Sequence, residues 1–188
     1  MSYKPHEALL DYLYQVPDTE KRLPVLDLAC GTGRSGLVLA RRNIPVVFAD
    51  RSATALDGIR QKLADEKLPG HIWQVDLEQA GSNPFDGQVF SAVICFRYLH
   101  RPLFPYLLAA VEAGGRVIYE TFTTANSRFG RPDNPDFLLR AGELKTWFQY
   151  WEVLHHYEGI QRNPDRAIAQ IVALKPQPPA TGQVSATR

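Results

Sequence analysis

Apolar positions recur along the chain with two alternating periods. Residues 5–16 carry Leu9, Leu10 and Leu13 on one side, the spacing of an amphipathic helix. After a charged link at 18–22, residues 23–29 form a short apolar run that contains Asp27 and leads into glycines, as in a buried parallel strand. Residues 34–43 suit a helix and 44–49 a second buried strand. Residues 53–67 place Ala55, Leu56, Ile59 and Leu63 at helical spacing; Pro69 and Gly70 break that helix before a third strand at 71–75. Asn83-Pro84 and Asp86-Gly87 mark a loop. A fourth strand at 89–96, a helix at 103–112 ending at Gly114 and Gly115, and a fifth strand at 116–122 follow. Residues 123–140 show no clear period, and a segment that long inside a compact domain reads as a lid or binding loop. A short helix at 142–148 precedes closing strands at 152–159 and 167–175, joined by a turn near Asn163-Pro164.

Strands alternating with helices predict a parallel sheet covered on both faces. The last two strands have only a turn between them, so they pair antiparallel. The expected fold is α/β: a doubly wound, mostly parallel seven-stranded sheet with a C-terminal antiparallel hairpin. A chain of 188 residues fits one domain, expected over 1–175. The prolines, Ser, Thr and Gly of 176–188 have nothing to bury, and that tail is expected to be disordered. No apolar run approaches the roughly 20 residues that span a bilayer, and the first residues lack an apolar signal core, so a cytoplasmic address and no membrane partner are expected. Cys30 and Cys95 are too few for a disulfide framework and read as buried thiols; no metal site is expected.

Candidate chemistry concentrates after the first strand. Gly31 and Gly33 let the chain reverse tightly into a helix and let a ligand approach bare backbone. With Gly36 they satisfy the dinucleotide fingerprint, so NAD is a competitor. Asp27 argues the other way: a carboxylate inside a strand needs partners, here turn amides and a ligand's ammonium, and it repels a pyrophosphate. Asp50 ends the second strand, where a carboxylate can accept both hydroxyls of a ribose. Asp76 follows the third, where it can accept from an exocyclic amine. The plain alternative for each acid is a helix cap or a loop charge.

The run Val25-Leu26-Asp27-Leu28-Ala29-Cys30-Gly31-Thr32-Gly33 resembles the cofactor motifs of class I S-adenosylmethionine (SAM) dependent methyltransferases, as do 47–50, Gln74-Val75-Asp76-Leu77, Phe85-Asp86, 92–95, Tyr98-Leu99-His100 and 113–117. The likeness covers roughly residues 22–122 and, within the class, is similar to the tellurite-resistance and related small methyltransferase groups. It implies a Rossmann-like fold with SAM as cofactor and S-adenosylhomocysteine as product. It implies a cofactor site of Asp27, Ala29, Gly31, Gly33, Asp50, Arg51, Asp76 and Leu77, backed by Cys95 or Phe96. Ala29 departs from the pattern, which has glycine there, and a slight narrowing is expected.

Methyl transfer from a sulfonium needs positioning more than an elaborate catalytic set. After strand four stand Phe96-Arg97-Tyr98-Leu99-His100-Arg101-Pro102, without the Asn/Asp-Pro-Pro-aromatic motif of nucleic-acid amino methylation. Arg97, Tyr98 and His100 are the catalytic candidates, His100 as a general base, against capping or packing roles. Arg97, Arg101, Arg128 and Arg131 in the roofing loops point to an anionic acceptor, against pairing with Asp133, Asp136 or Glu120. Glu120 reads as an arginine partner or a base. The leading reading is an enzyme acting on a small molecule. An RNA-modifying enzyme stays open, although a net charge of +1 supplies no broad basic footprint. A non-catalytic SAM-binding regulatory subunit and an NAD(P)-dependent reductase are the remaining alternatives.

Overall fold

A computed structural model of the chain describes residues 2–14, 23–79 and 81–178. The expected helix residues 15 and 16, the link at 18–22 and most of the tail expected to be disordered lie outside the described residues. Helix α1 (His6–Tyr14) precedes β1 (Val25–Leu28), α2 (Arg34–Ala40), β2 (Val46–Asp50), α3 (Ala53–Asp65), β3 (Gly70–Gln74) and β4 (Phe90–Phe96). Then come α4 (Phe104–Ala109), β5 (Val111–Phe122), α5 (Glu143–Trp147), β6 (Glu152–Gln161) and β7 (Arg166–Leu174). One sheet runs β3-β2-β1-β4-β5-β7-β6. β1 to β5 pair parallel, and β7 pairs antiparallel with both β5 and β6. The expected Rossmann-like sheet and its closing hairpin are present, with β7 inserted between β5 and β6.

The period of two divides each strand between two cores. Val25, Val46, Phe48, Ala92, Ile94 and Ile118 pack with Leu9, Leu10 and Leu13 of α1 and with α2 and α3. Leu26, Leu28, Val93, Cys95, Val117 and Tyr119 face the opposite core with Phe104 of α4 and Leu144 of α5. After β1 the chain builds outward to β2 and β3, then returns to lay β4 on the other side of β1. The crevice at the carboxyl ends of β1 and β4 is therefore the switch point where open α/β sheets bind ligands.

Three local expectations differ. The helix expected over 34–43 ends at Ala40, and Asn43 adopts φ 59°. The helix expected over 103–112 is a 3-10 turn, Arg101–Leu103, followed by α4, and β5 begins at Val111. Gly114 and Gly115 thus lie inside a strand, at a register shift opposite Phe90–Ala92. A Cβ on Gly115 would stand 2.7 Å from the Ser91 carbonyl oxygen, so glycine serves close strand approach here and not a helix stop. The unpatterned stretch 123–140 contains two 3-10 turns, Thr124–Phe129 and Pro135–Phe137, and buried Leu138 and Leu139. Buried Asn126 pins it to β7 by accepting the Ala167 amide at 3.1 Å.

Candidate functional site

The turn after β1 holds three left-handed residues, Ala29 (φ 52°), Gly31 (φ 52°) and Gly33 (φ 71°). Its shape is fixed by two carboxylates. Asp27, 3% exposed, accepts the Gly36 amide at 2.9 Å. Asp50 accepts the Gly31 amide at 2.8 Å on one oxygen and the Ser52 amide at 2.9 Å on the other. Burial pushes the Asp27 carboxyl up to about 8, opposed by the Gly36 amide and aided by the Asp50 charge. The third glycine of the fingerprint packs against protein: a Cβ on Gly36 would meet Asp27 and the Phe48 ring.

Two cavities share Ala29 in their linings. One is lined by Ala29, Asp50, Arg51, Val75, Asp76, Leu77, Glu78 and Tyr98. Asp76 is exposed and accepts the Glu78 amide at 2.9 Å. The Tyr98 hydroxyl is buried beside the Glu78 carboxylate without reaching hydrogen-bond geometry, and burial first and that carboxylate second push its pKa up. The second cavity is lined by His6, Asp27, Ala29, Cys30, Gly31, Thr32, Arg34, Ser35, Phe96 and Arg97. It continues outward past Arg34, Ser35 and Arg97 to Tyr3 and Gln161.

The residues singled out in the sequence divide accordingly. Ala29, Asp50, Arg51, Asp76, Leu77 and Tyr98 meet at the first cavity; Asp27, Ala29, Gly31, Phe96 and Arg97 meet at the second. Gly33 is buried behind the turn. Of the pair Cys95 and Phe96, Phe96 lines a cavity, while Cys95 faces the opposite core. Cys30, read as a buried thiol, is only half-buried and lines the second cavity. His100 lines a neighbouring depression with Pro102, Leu103 and Tyr106, which shares Leu77 and Glu78 with the first cavity. Arg128 lies over the Phe129 ring, 4.7 Å from its centre, and Arg131 is exposed; neither lines the two cavities. Arg101 forms a two-pronged pair with Glu143 at 2.6 and 3.0 Å and donates to the Asp136 and Leu138 carbonyls, so it fastens a loop to α5.

Glu120 differs from its expected role as an arginine partner. It is 2% exposed, its Oε1 lies 2.5 Å from His6 Nε2, and its Oε2 accepts Gln170 Nε2 at 2.6 Å. His6 was not singled out, because its partner lies 114 positions away. The signal in the sequence was Glu120 itself, a carboxylate in the apolar run of β5 that had to find a partner. Among the described residues no cluster of His, Cys, Asp and Glu is arranged to hold a metal, and no helix is long and apolar enough to cross a membrane.

A family model described as a methyltransferase domain matches residues 25–117. The chain is 35% identical over 126 residues to a demethylmenaquinone methyltransferase of Clavibacter sepedonicus, which covers 61% of this chain and 49% of that protein. It is 27% identical over 140 residues to hemagglutinin 1 of Eikenella corrodens, covering 72% of this chain and 46% of that protein. The chain thus spans about half the length of these curated relatives. Among solved structures it matches TehB from Haemophilus influenzae with a TM-score of 0.73 at 19% identity, covering 91% of this chain and 62% of that one. It matches magnesium protoporphyrin IX methyltransferase (ChlM) from Synechocystis PCC 6803 with bound SAH at 0.66 and 16% identity, covering 90% and 81%. At these identities the structural likeness is one of fold.

Proposed function

We propose that the chain is a class I SAM-dependent methyltransferase, a reading supported by the methyltransferase-domain match and the fold, and that it moves a methyl group in line to a small or medium acceptor bearing an anionic group. The observation that carries this reading is the pair of cavities sharing Ala29, with Asp50 and Asp76 in one and Asp27 beside Gly31 in the other. The donor set suits the cofactor. Asp50 has oxygen lone pairs left beyond its two amide bonds to take ribose hydroxyls. Exposed Asp76 can take the adenine amine, and the orphaned Tyr98 hydroxyl in the same cavity offers a further polar contact. Asp27, with one amide bond and no cationic partner among the described residues, suits an ammonium. Beside Gly31 a Cβ would find nothing within 4 Å, so bare backbone faces open space.

SAM supplies an activated methyl group on a sulfonium. The chain's part is to hold that donor along the β1–β4 crevice, shield it with the walls of the second cavity, and align an acceptor. Alignment of this kind is worth roughly 7–11 kcal/mol in well-oriented reactions. Arg97, at the end of β4 and on the cavity wall, supports an acceptor with a carboxylate or phosphate handle.

A thermal-shift comparison of SAM, S-adenosylhomocysteine and NAD tests the cofactor site. At a hundred-fold excess over Kd a ligand adds about 2.7 kcal/mol to stability. SAM and its demethylated product should raise Tm by several degrees and NAD should not; a shift with NAD alone would overturn the reading.

A further inference from the structure

The outer part of the second cavity is built from parts that the cofactor reading leaves unused. The residues leading into α1 lie over the carboxyl end of β5. Gln170 on β7 clamps their backbone, accepting the Lys4 amide at 3.1 Å and donating to the Lys4 carbonyl at 2.6 Å. That clamp sets His6 against Glu120, with its ring 4.3 Å from the Phe96 ring. A neutral imidazole that donates Nε2–H to Glu120 has its lone pair on Nδ1, as when a carboxylate fixes the tautomer of a catalytic histidine. Arg34 and Arg97 line the same cavity, and neither guanidinium has a hydrogen-bond or ion-pair partner among the described residues. Arg166, on β7, is near enough for its charge to act on Arg97.

We propose that this outer cavity is the acceptor site, that Arg34 and Arg97 grip a carboxylate or phosphate on the acceptor, and that His6, held by Glu120, takes the proton from an acceptor hydroxyl or thiol. The proposal rests on the methyltransferase reading above. The proton leaves the acceptor oxygen or sulfur for His6 Nδ1. The freed electron pair forms the bond to the methyl carbon, and the electrons of the broken carbon–sulfur bond stay on sulfur as a neutral thioether. Glu120, already in contact with Nε2, stabilises the imidazolium that results. Among the described residues, the charged and titratable groups around His6 are Glu120 on β5, Asp27 on β1 and Cys30 just after it, Arg34 on α2, Arg97 after β4, Arg166 on β7, and Lys4, Tyr3 and Glu7 on its own segment.

The test uses the full chain, with 4-hydroxybenzoate and 3-mercaptopropionate as anionic probes and 4-hydroxybenzyl alcohol and 2-mercaptoethanol as neutral ones. Calorimetry on protein saturated with S-adenosylhomocysteine should show the anions binding about ten-fold or more tighter. Arg97→Ala, again saturated with S-adenosylhomocysteine so that cofactor affinity does not enter the comparison, should erase that preference. Nitrogen-15 spectra should show His6 protonated on Nε2 and bare on Nδ1, a pattern lost in Glu120→Gln. His6→Asn should keep SAM and anion binding and lower single-turnover methylation about 100-fold, with activity recovering as pH rises through the probe's own ionisation. Equal binding of neutral and anionic probes, a proton on His6 Nδ1, or undiminished turnover in His6→Asn would overturn the proposal. If no probe is methylated, the binding preference and the tautomer decide alone. Failure of the wild type to bind SAM would instead overturn the underlying reading, so the two failures are separable.

Discussion

A Cβ on Gly36 would stand 2.6 Å from Asp27 Oδ2, the same oxygen that accepts the Gly36 amide at 2.9 Å. It would also stand 2.4 Å from the Phe48 ring. Gly36→Ala must therefore push β1 and α2 apart or break the bond that satisfies a buried carboxyl. Each route costs about 1–3 kcal/mol. The expected result is a fall in Tm of several degrees in a thermal melt, with SAM affinity reduced because the turn is displaced.

Asp27 also makes stability depend on pH. Its folded pKa of about 8 lies above the value of about 4 expected in the unfolded chain, so between these pH values the folded state binds the extra proton. Stability from this group is complete below about pH 4 and is lost as pH rises towards about 8. The slope reaches at most about 1.4 kcal/mol per pH unit. Denaturant melts of wild type and Asp27→Asn across pH 5–8 check this as an order-of-magnitude range, and the variant should show the flatter dependence. With an ammonium against Asp27, SAM binding should release protons in that window, measurable by calorimetry in buffers of different ionisation enthalpy.

Ala29 carries φ 52°, a conformation that L side chains adopt at a cost of about 1–2 kcal/mol. Its methyl group borders both cavities. Ala29→Gly should relieve that strain, part of the gain being offset by the greater freedom of the unfolded chain. The expected outcome is a Tm raised by a few degrees, with SAM binding no weaker.

Arg101 tests the separation between scaffold and site. Its pair with Glu143 is mostly shielded, with side chains 28% and 15% exposed. Arg101→Ala also removes the donors to the Asp136 and Leu138 carbonyls. Loss of about 1–3 kcal/mol is expected, read as a lowered urea midpoint, while calorimetric SAM affinity is retained.

The middle of the sheet was legible because strands such as Val25–Leu28 and Val46–Asp50 are apolar on both faces and bounded by glycine, proline or an acid. The start of β5 was not, because Gly114 and Gly115 look alike as a helix stop and as a point of close strand approach; only the Ser91 carbonyl across the sheet distinguishes them. The turn at Gly31 and the acids that face it are local features and were readable in order along the chain. His6 was hidden for the opposite reason: its meaning comes from Glu120 and Gln170, which three-dimensional folding alone brings to it. His100, adjacent in sequence to site residues, lines a depression that borders the first cavity at Leu77 and Glu78.

The later strand of the closing hairpin is also an interior one. Because β7 lies between β5 and β6, a nascent chain still short of Arg166 has nowhere to dock residues 152–161, and Glu120 lacks its amide partner from Gln170. An early stop codon there would strip two strands from the sheet, leave the clamp on Lys4 unmade, and expose the edge of β5 to pairing with other molecules.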